Sequence, residues 1–306
     1  MGALLAKAKA KPRLVLVVCC LLLLPFLFKS SSVEEGKATW LWDASLIENP
    51  GEILDFCKEQ GVSVIFLQIQ KDVDVQQYKR FIAAAHQEDI SVHALDGRPQ
   101  WAYEEHRKEA DQFIDWVLDY NDKASPEERF AGIQLDVEPY QLKRWERDQS
   151  SVVSEWSRNM EEWTDRGQRG GLYMSAAVPF WLGKIGAEDG SGTLSRWMLG
   201  RFDALAVMSY RDSGQQIFDL SKGMLDEADQ LDKSIWIGME LGHTEEGSHV
   251  SFFGKPLPVM EEEMEKVYQL SESHSSFAGL AVHHYEAWQE KIASADPKRE
   301  QSSMRN

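Results

Sequence analysis

Cysteine is scarce in this sequence. Three occur in 306 residues, and two of them, Cys19 and Cys20, lie inside an N-terminal apolar run. That leaves Cys57, and one thiol cannot close an intrachain disulfide. The fold must therefore rest on its core, and a chain of this length is ample for one. Cys57 falls in a helical pattern beside Leu54 and Phe56, where a thiol acts as a small, inert hydrophobe. Positive charge is also scarce after residue 32. The first 32 residues hold five of the 33 bases and no acid, leaving 28 bases against 50 acids, a balance of −22. A nucleic-acid backbone would be repelled by that field, which excludes it as a partner. A Gly-rich phosphate loop is missing as well. After the first strand-like run the chain reads DASLIENPGE, which argues against an open, doubly wound dinucleotide-binding sheet. No internal repeat or low-complexity tract stands out after residue 32.

The N-terminus has the pattern of a targeting segment. Lys7, Lys9, Lys11 and Arg13 precede LVLVVCCLLLLPFLF, an apolar run covering residues 14–28. It is somewhat long for a signal core and short of the roughly 20 residues of a full span. Ser30, Ser31 and Ser32 offer small residues for cleavage. Two outcomes stay open, a cleaved signal peptide or an uncleaved anchor. Both place the remainder outside the cytoplasmic membrane, secreted or membrane-anchored, with the basic end inside. Residues 33–37 read as a linker and 293–306 as a polar tail.

Between them, strand-like and helical runs alternate. The strand candidates are ATWLWDA (38–44), VSVIFLQI (62–69), ISVHALDG (90–97), FAGIQLDVEPY (130–140), LYMSAAVPFW (172–181), FDALAVMSYRD (202–212), SIWIGMELG (234–242) and FAGLAVHHYEAW (277–288). The helix after the fourth carries Ser150 or Ser151 as an expected N-cap. Eight βα units in residues 38–292 predict an α/β fold, a single (β/α)8 barrel of the TIM type, with its site at the C-terminal strand ends.

The fourth run is the informative one. Ile133, Leu135 and Val137 alternate with Gln134, Asp136 and Glu138. Side chains two apart share a face of a strand, so the apolar set packs outward while an amide and two carboxylates face the barrel. Unpaired buried carboxylates are costly, and two of them just before Pro139 point to a site. They repel each other, which raises a pKa and favours a protonated acid near neutral pH. The same rule turns Ala204, Ala206, Met208 and Tyr210 inward on the sixth strand, and Trp236, Gly238 and Glu240 on the seventh. On the eighth it turns Gly279, Ala281, His283 and Tyr285 inward. Gln68, Gln70 and Asp96 end the second and third strands, and Trp42 the first. Adjacent His283 and His284 face opposite ways on a strand and cannot share one ion without a break, so no metal is expected. No cofactor motif is present either. Eleven Trp are present. Trp101, Trp181 and Trp288 suit core or rim better than sugar platforms.

FAGIQLDVEPY resembles the fourth-strand signature DxxDxDxE of the family 18 glycoside hydrolases, the chitinase-like barrels. Asp136 and Glu138 match its last two acids, while Ala131 and Gln134 stand at the first two. VMSYRD resembles the family's Met-x-Tyr-Asp, matching Met208 and Tyr210, with Arg211 in place of Asp. YMSAAVP is similar to its fifth strand. FAGLAVHHY is similar to its last, with His283 where a Trp forms the pocket floor. The family's third-strand SxGG is replaced by HALDGRP. The resemblance implies an exported hydrolase of N-acetylhexosamine-containing glycan. Glu138 would be the general acid, Asp136 would orient the 2-acetamido group that attacks the anomeric carbon, and Tyr210 would donate to that group. Gln134, Met208, Trp42, Gln68, Asp96, Glu240 and His283 would bind substrate around them, and Gln134 could hydrogen-bond Asp136. Two alternatives accompany this reading. One is a retaining glycosidase with Glu138 as acid and Glu240 as nucleophile. The other is a non-catalytic, chitinase-like carbohydrate-binding protein.

Overall fold

The computed structural model describes residues 36–295. The targeting segment, most of the linker and nearly all of the polar tail expected from the sequence lie outside them. Eight parallel strands close into one barrel in sequence order. They are β1 (Gly36–Leu41), β2 (Val62–Gln68), β3 (Ser91–Asp96), β4 (Gly132–Leu135), β5 (Tyr173–Pro179), β6 (Ala204–Met208), β7 (Ser234–Glu240) and β8 (Phe277–His283). The helices are α1 (Pro50–Gln60), α2 (Val75–Gln87), α3 (Arg107–Lys123), α4 (Lys143–Arg147), α5 (Gln149–Arg169), α6 (Leu194–Leu199), α7 (Gly214–Asp229), α8 (Leu257–Ser271) and α9 (Tyr285–Ser294).

Period-2 alternation sorts the strand residues into two cores. Ile133, Leu135, Leu205, Val207, Leu280 and Val282 join the larger core, under the helices. Ala38, Trp40, Phe66, Leu95, Ala204, Ala206, Trp236 and Ala281 fill the barrel. Large rings on β1, β2 and β7 thus face alanines on β6 and β8, as tight packing in a closed barrel demands. Closure between β1 and β8 depends on Gly279. Its φ is +129°, and a Cβ there would fall 1.8 Å from the Gly36 carbonyl oxygen. Cys57 is fully buried, and burial pushes its thiol up to about 12, so it is unreactive. Trp101 and Trp288 are core residues.

Four local expectations are corrected. β1 spans 36–41, not 38–44. β4 ends at Leu135, so Asp136 and Glu138 lie beyond the ladder, although Val137 between them is still buried toward the helices. The helix after β4 is capped by Asp148, whose carboxylate accepts from Ser151 N, rather than by Ser150 or Ser151. Asp one turn earlier offers the same acceptor with added charge at the positive helix end. Tyr285 faces the helix layer and packs edge-on against Phe56 at 5.3 Å. The strand ends at His283, so its alternation no longer governs Tyr285.

Candidate active site

β3 and β4 approach each other closely where the first acid emerges. The Asp136 N–H donates to the Asp96 carbonyl at 3.2 Å. A Cβ at Gly97 would lie 1.9 Å from the Asp136 carbonyl oxygen, so only glycine lets the two strand ends meet. Asp136 is half-buried, and its Oδ1 is enclosed without a hydrogen-bond partner. Burial, and then the charge of Glu138, push its carboxyl up to about 7. Glu138 stands at the start of a single 3-10 turn, Pro139–Gln141. That turn folds back on it: the Tyr140 hydroxyl donates to Oε1 and the Gln141 amide to Oε2. Burial raises the Glu138 carboxyl, and the Tyr140 hydrogen bond opposes the rise.

Across the mouth, three strands join in a relay. The Trp42 indole donates to His283 Nε2 at 3.1 Å. His283 Nδ1 meets Glu240 Oε2 at 2.7 Å. An indole can only donate, so Nε2 accepts and Nδ1 carries the proton offered to Glu240. The other Glu240 oxygen accepts from Gly242 N at 2.6 Å. His284 turns to Glu286 instead, at 2.7 Å.

These elements enclose a cavity of about 250 Å³, slightly below the roughly 300–1,000 Å³ of typical ligand pockets. Asp136, Glu138, Met208, Tyr210, Trp42 and His283 line it, together with Trp40 and Ala177. Burial, chiefly, and the surrounding carboxylates hold the Tyr210 phenol in its neutral, donating form, with its pKa well above the ordinary value.

The other expected site residues lie behind this lining. Gln68 donates to Asp96 Oδ1 at 3.2 Å, and that oxygen also accepts from Gly97 N. Gln134 is fully buried and accepts from the Ser175 hydroxyl, while its amide nitrogen has no partner. The expected Gln134–Asp136 hydrogen bond is absent, because Ser175 holds the amide within the barrel. Glu240 is buried behind His283, with each oxygen engaged by the protein. Trp40, Tyr140 and Gln141 are not among the residues that the sequence pattern singles out. Period 2 does place Trp40 on the same β1 face as Trp42. Tyr140 and Gln141 depend on a turn that no periodicity marks. A separate cluster of possible metal ligands, Asp226, Asp229 and His274, lies at the opposite end of the strands and is tied together internally.

No protein-family model matches this chain, and no curated protein matches its sequence. Solved structures do match it. A chitinase from Bacteroides thetaiotaomicron is 12% identical, with 83% of this chain and 90% of that one covered at a TM-score of 0.53. A chitinase from Chromobacterium violaceum is 11% identical, covering 85% and 99%, with a TM-score of 0.51. The spore cortex-lytic enzyme SleL of Bacillus megaterium is 10% identical, covering 84% and 73%, also at 0.51. At such identities the likeness is one of fold. The chain has a divergent, chitinase-like (β/α)8 barrel fold.

Proposed function

We propose that the protein is an exported glycoside hydrolase acting on an N-acetylhexosamine-containing glycan by substrate-assisted acid catalysis. The observation that carries this reading is one cavity lined by Asp136, Glu138 and Tyr210 together with Trp42 and His283. Glu138 gives its proton to the glycosidic oxygen. Asp136 and the Tyr210 hydroxyl grip the acetamido group, whose oxygen attacks the anomeric carbon. Both acids have raised pKa values, Asp136 through burial and then the charge of Glu138, and Glu138 chiefly through burial, which favours holding a proton for the acid step. In the resting protein Tyr140 and Gln141 donate to Glu138 and favour its charged form. When Glu138 takes the proton, one of its oxygens becomes a donor, and the Tyr140 hydroxyl can reverse to accept from it.

The placement of Glu240 argues against the retaining alternative. A nucleophile must reach the anomeric carbon, and both Glu240 oxygens are committed to His283 and Gly242. For location, the basic N-terminus and apolar run support export; among the described residues no helix is long and apolar enough to cross a membrane. A periplasmic or extracellular reporter fused at the C-terminus would test it, and full activity of a cytoplasm-only reporter would refute it.

The mechanism is tested by two substitutions on a fluorogenic N-acetylglucosamine oligomer. Glu138→Gln keeps the shape and one of the two acceptor oxygens, with the amide nitrogen facing the Tyr140 hydroxyl, but removes the acid. It should lower kcat by roughly 10²–10⁴-fold while binding survives. Glu240→Gln should cost much less, because it acts through His283 and not on the substrate. Full activity in Glu138→Gln sinks the enzyme reading. A trapped glycosyl ester in the wild type, absent from Glu240→Gln, establishes the retaining route instead. Binding without turnover in the wild type identifies a carbohydrate-binding protein.

A further inference from the structure

Next to Tyr210, which lines the cavity, stands a cation that no acid among the described residues balances. Arg211 follows Tyr210 beyond the end of β6 and is half-buried. Its Nη1 donates to the Tyr210 carbonyl at 2.6 Å, and its guanidinium carbon lies 5.3 Å from the centre of the Phe180 ring. Among the described residues no carboxylate pairs with it. The adjacent Asp212 is held by Lys255 at 2.6 Å. A guanidinium has five N–H donors in a rigid fork, and the protein engages one of them here. Acids outnumber bases by 22 beyond residue 32, and the other half-buried guanidinium without an ion pair among the described residues, Arg196, is held by the Gln230 side chain, whereas Arg211 meets only a backbone carbonyl and a ring. The Phe180 face and the Tyr210 carbonyl hold it in place, so little entropy remains to be lost when an anion docks.

Aromatic rings connect this cation to the proposed acid. Trp181 packs edge-on against Tyr140 at 5.1 Å, and Tyr140 bonds Glu138. Phe180 precedes Trp181, and β5 pairs with β6 through Pro179 and Met208. Tyr140, Trp181, Phe180 and Arg211 therefore follow one another around the β4–β5–β6 side of the mouth. Rings suit the apolar faces of sugars, and the fork suits a carboxylate bidentately.

We infer that Arg211 reads a carboxylate on the glycan, so that the preferred substrate is a carboxylated amino-sugar polymer and not a neutral one. This rests on the proposed glycosidase site and narrows its substrate class. The carboxylate has two chemical sources: a lactyl ether on the amino sugar itself, or an alternating uronic acid. The acidic surface repels either polymer at long range. Salt screens that repulsion more than it screens a half-buried pair, so the preference should persist at moderate ionic strength.

The test uses the full chain with Glu138→Gln, so that ligands stay intact, and calorimetric titration with three tetrasaccharides. One is the neutral N-acetylglucosamine oligomer. The second alternates N-acetylglucosamine with N-acetylmuramic acid bearing a free carboxylate. The third is a hyaluronan fragment, which carries uronate. One carboxylated oligomer should bind about tenfold or more tightly than the neutral one, as a charge-assisted pair implies. The oligomer that does so identifies the source. Adding Arg211→Gln should bring the ratio close to one, and Arg211→Lys should keep part of it. If the Arg211 variants fail to fold, the methyl amide of the preferred oligomer serves instead, and it should lose the preference against the unaltered Arg211. Equal binding of neutral and carboxylated oligomers, or a ratio unchanged by Arg211→Gln, overturns the inference and leaves the glycosidase reading standing. Failure of all three to bind overturns that reading and the inference with it.

Discussion

At the scale of the residue, the charged form of Asp136 is held at the expense of the fold. Its carboxyl is pushed up to about 7 by burial and by Glu138, against about 3.9 in an unfolded chain. An acid whose folded pKa is raised leaves stability intact below its unfolded value. That stability is lost as pH rises through the folded one. Three units amount to about 4 kcal/mol. Asp136→Asn should therefore raise the urea midpoint at pH 8 and leave it nearly unchanged at pH 3, while kcat falls through loss of acetamido orientation. A variant less stable at pH 8 would show that Asp136 is held by contacts that favour its charge. Such a gain in stability with a loss of activity is the usual signature of a functional carboxylate.

Element geometry decides where Asp136 points. β3 and β4 converge at Gly97, where a Cβ would meet the Asp136 backbone at 1.9 Å. Gly97→Ala must push the strand ends apart, which should cost about 1–3 kcal/mol of stability. Because the displaced atoms belong to the candidate site, activity should fall further than the midpoint shift explains. A variant that keeps full activity despite a lowered Tm would show that the convergence does not position Asp136. The elements themselves were largely legible in the sequence. Leu205 and Val207 go to one core and Ala204 and Ala206 to the other because burial on two faces writes period 2 into a strand. Legibility stops where the ladder stops. Nothing in EPYQ announces that Tyr140 and Gln141 turn back onto Glu138, since a 3-10 turn has no burial period to display. The hydrogen-bond partner of Gln134 is illegible for a related reason. Its place on the inner face was readable, but its partner Ser175 lies 41 positions away on the neighbouring strand. Arg211 stands out in the sequence only as a departure from a motif, and its lack of an acid partner among the described residues is a property of the packed structure.

The whole molecule has a second uncompensated ionisable group, toward the other end of the barrel. His93 on β3 is buried between Phe66 and Tyr173, and its Nδ1 has no partner. Burial holds its pKa down at about 4, against about 6.5 unfolded. A histidine whose folded pKa is depressed contributes fully above its unfolded value. The contribution is lost as pH falls from about 6.5 toward 4. The loss is about 3 kcal/mol, since one pKa unit is worth 1.36 kcal/mol. Asp136 runs the opposite way over nearly the same window and gains stability as pH falls from about 7. The two terms should nearly cancel in the wild type, and each single substitution should expose the other. In Asp136→Asn, stability relative to wild type should decline by a few kcal/mol between pH 7 and 4. In His93→Leu, a change of similar volume, it should climb by a similar amount. His93 pairs with Gly132, four residues before Asp136, which separates the groups by roughly 13 Å along the strand. At that distance, with no shared partner, the effects should add, and the double variant should show almost no difference in pH slope from wild type. Urea midpoints of the four proteins at four pH values measure this. A double variant whose slope departs from the sum of the singles would mean that the two ends of the barrel are coupled through its packed interior.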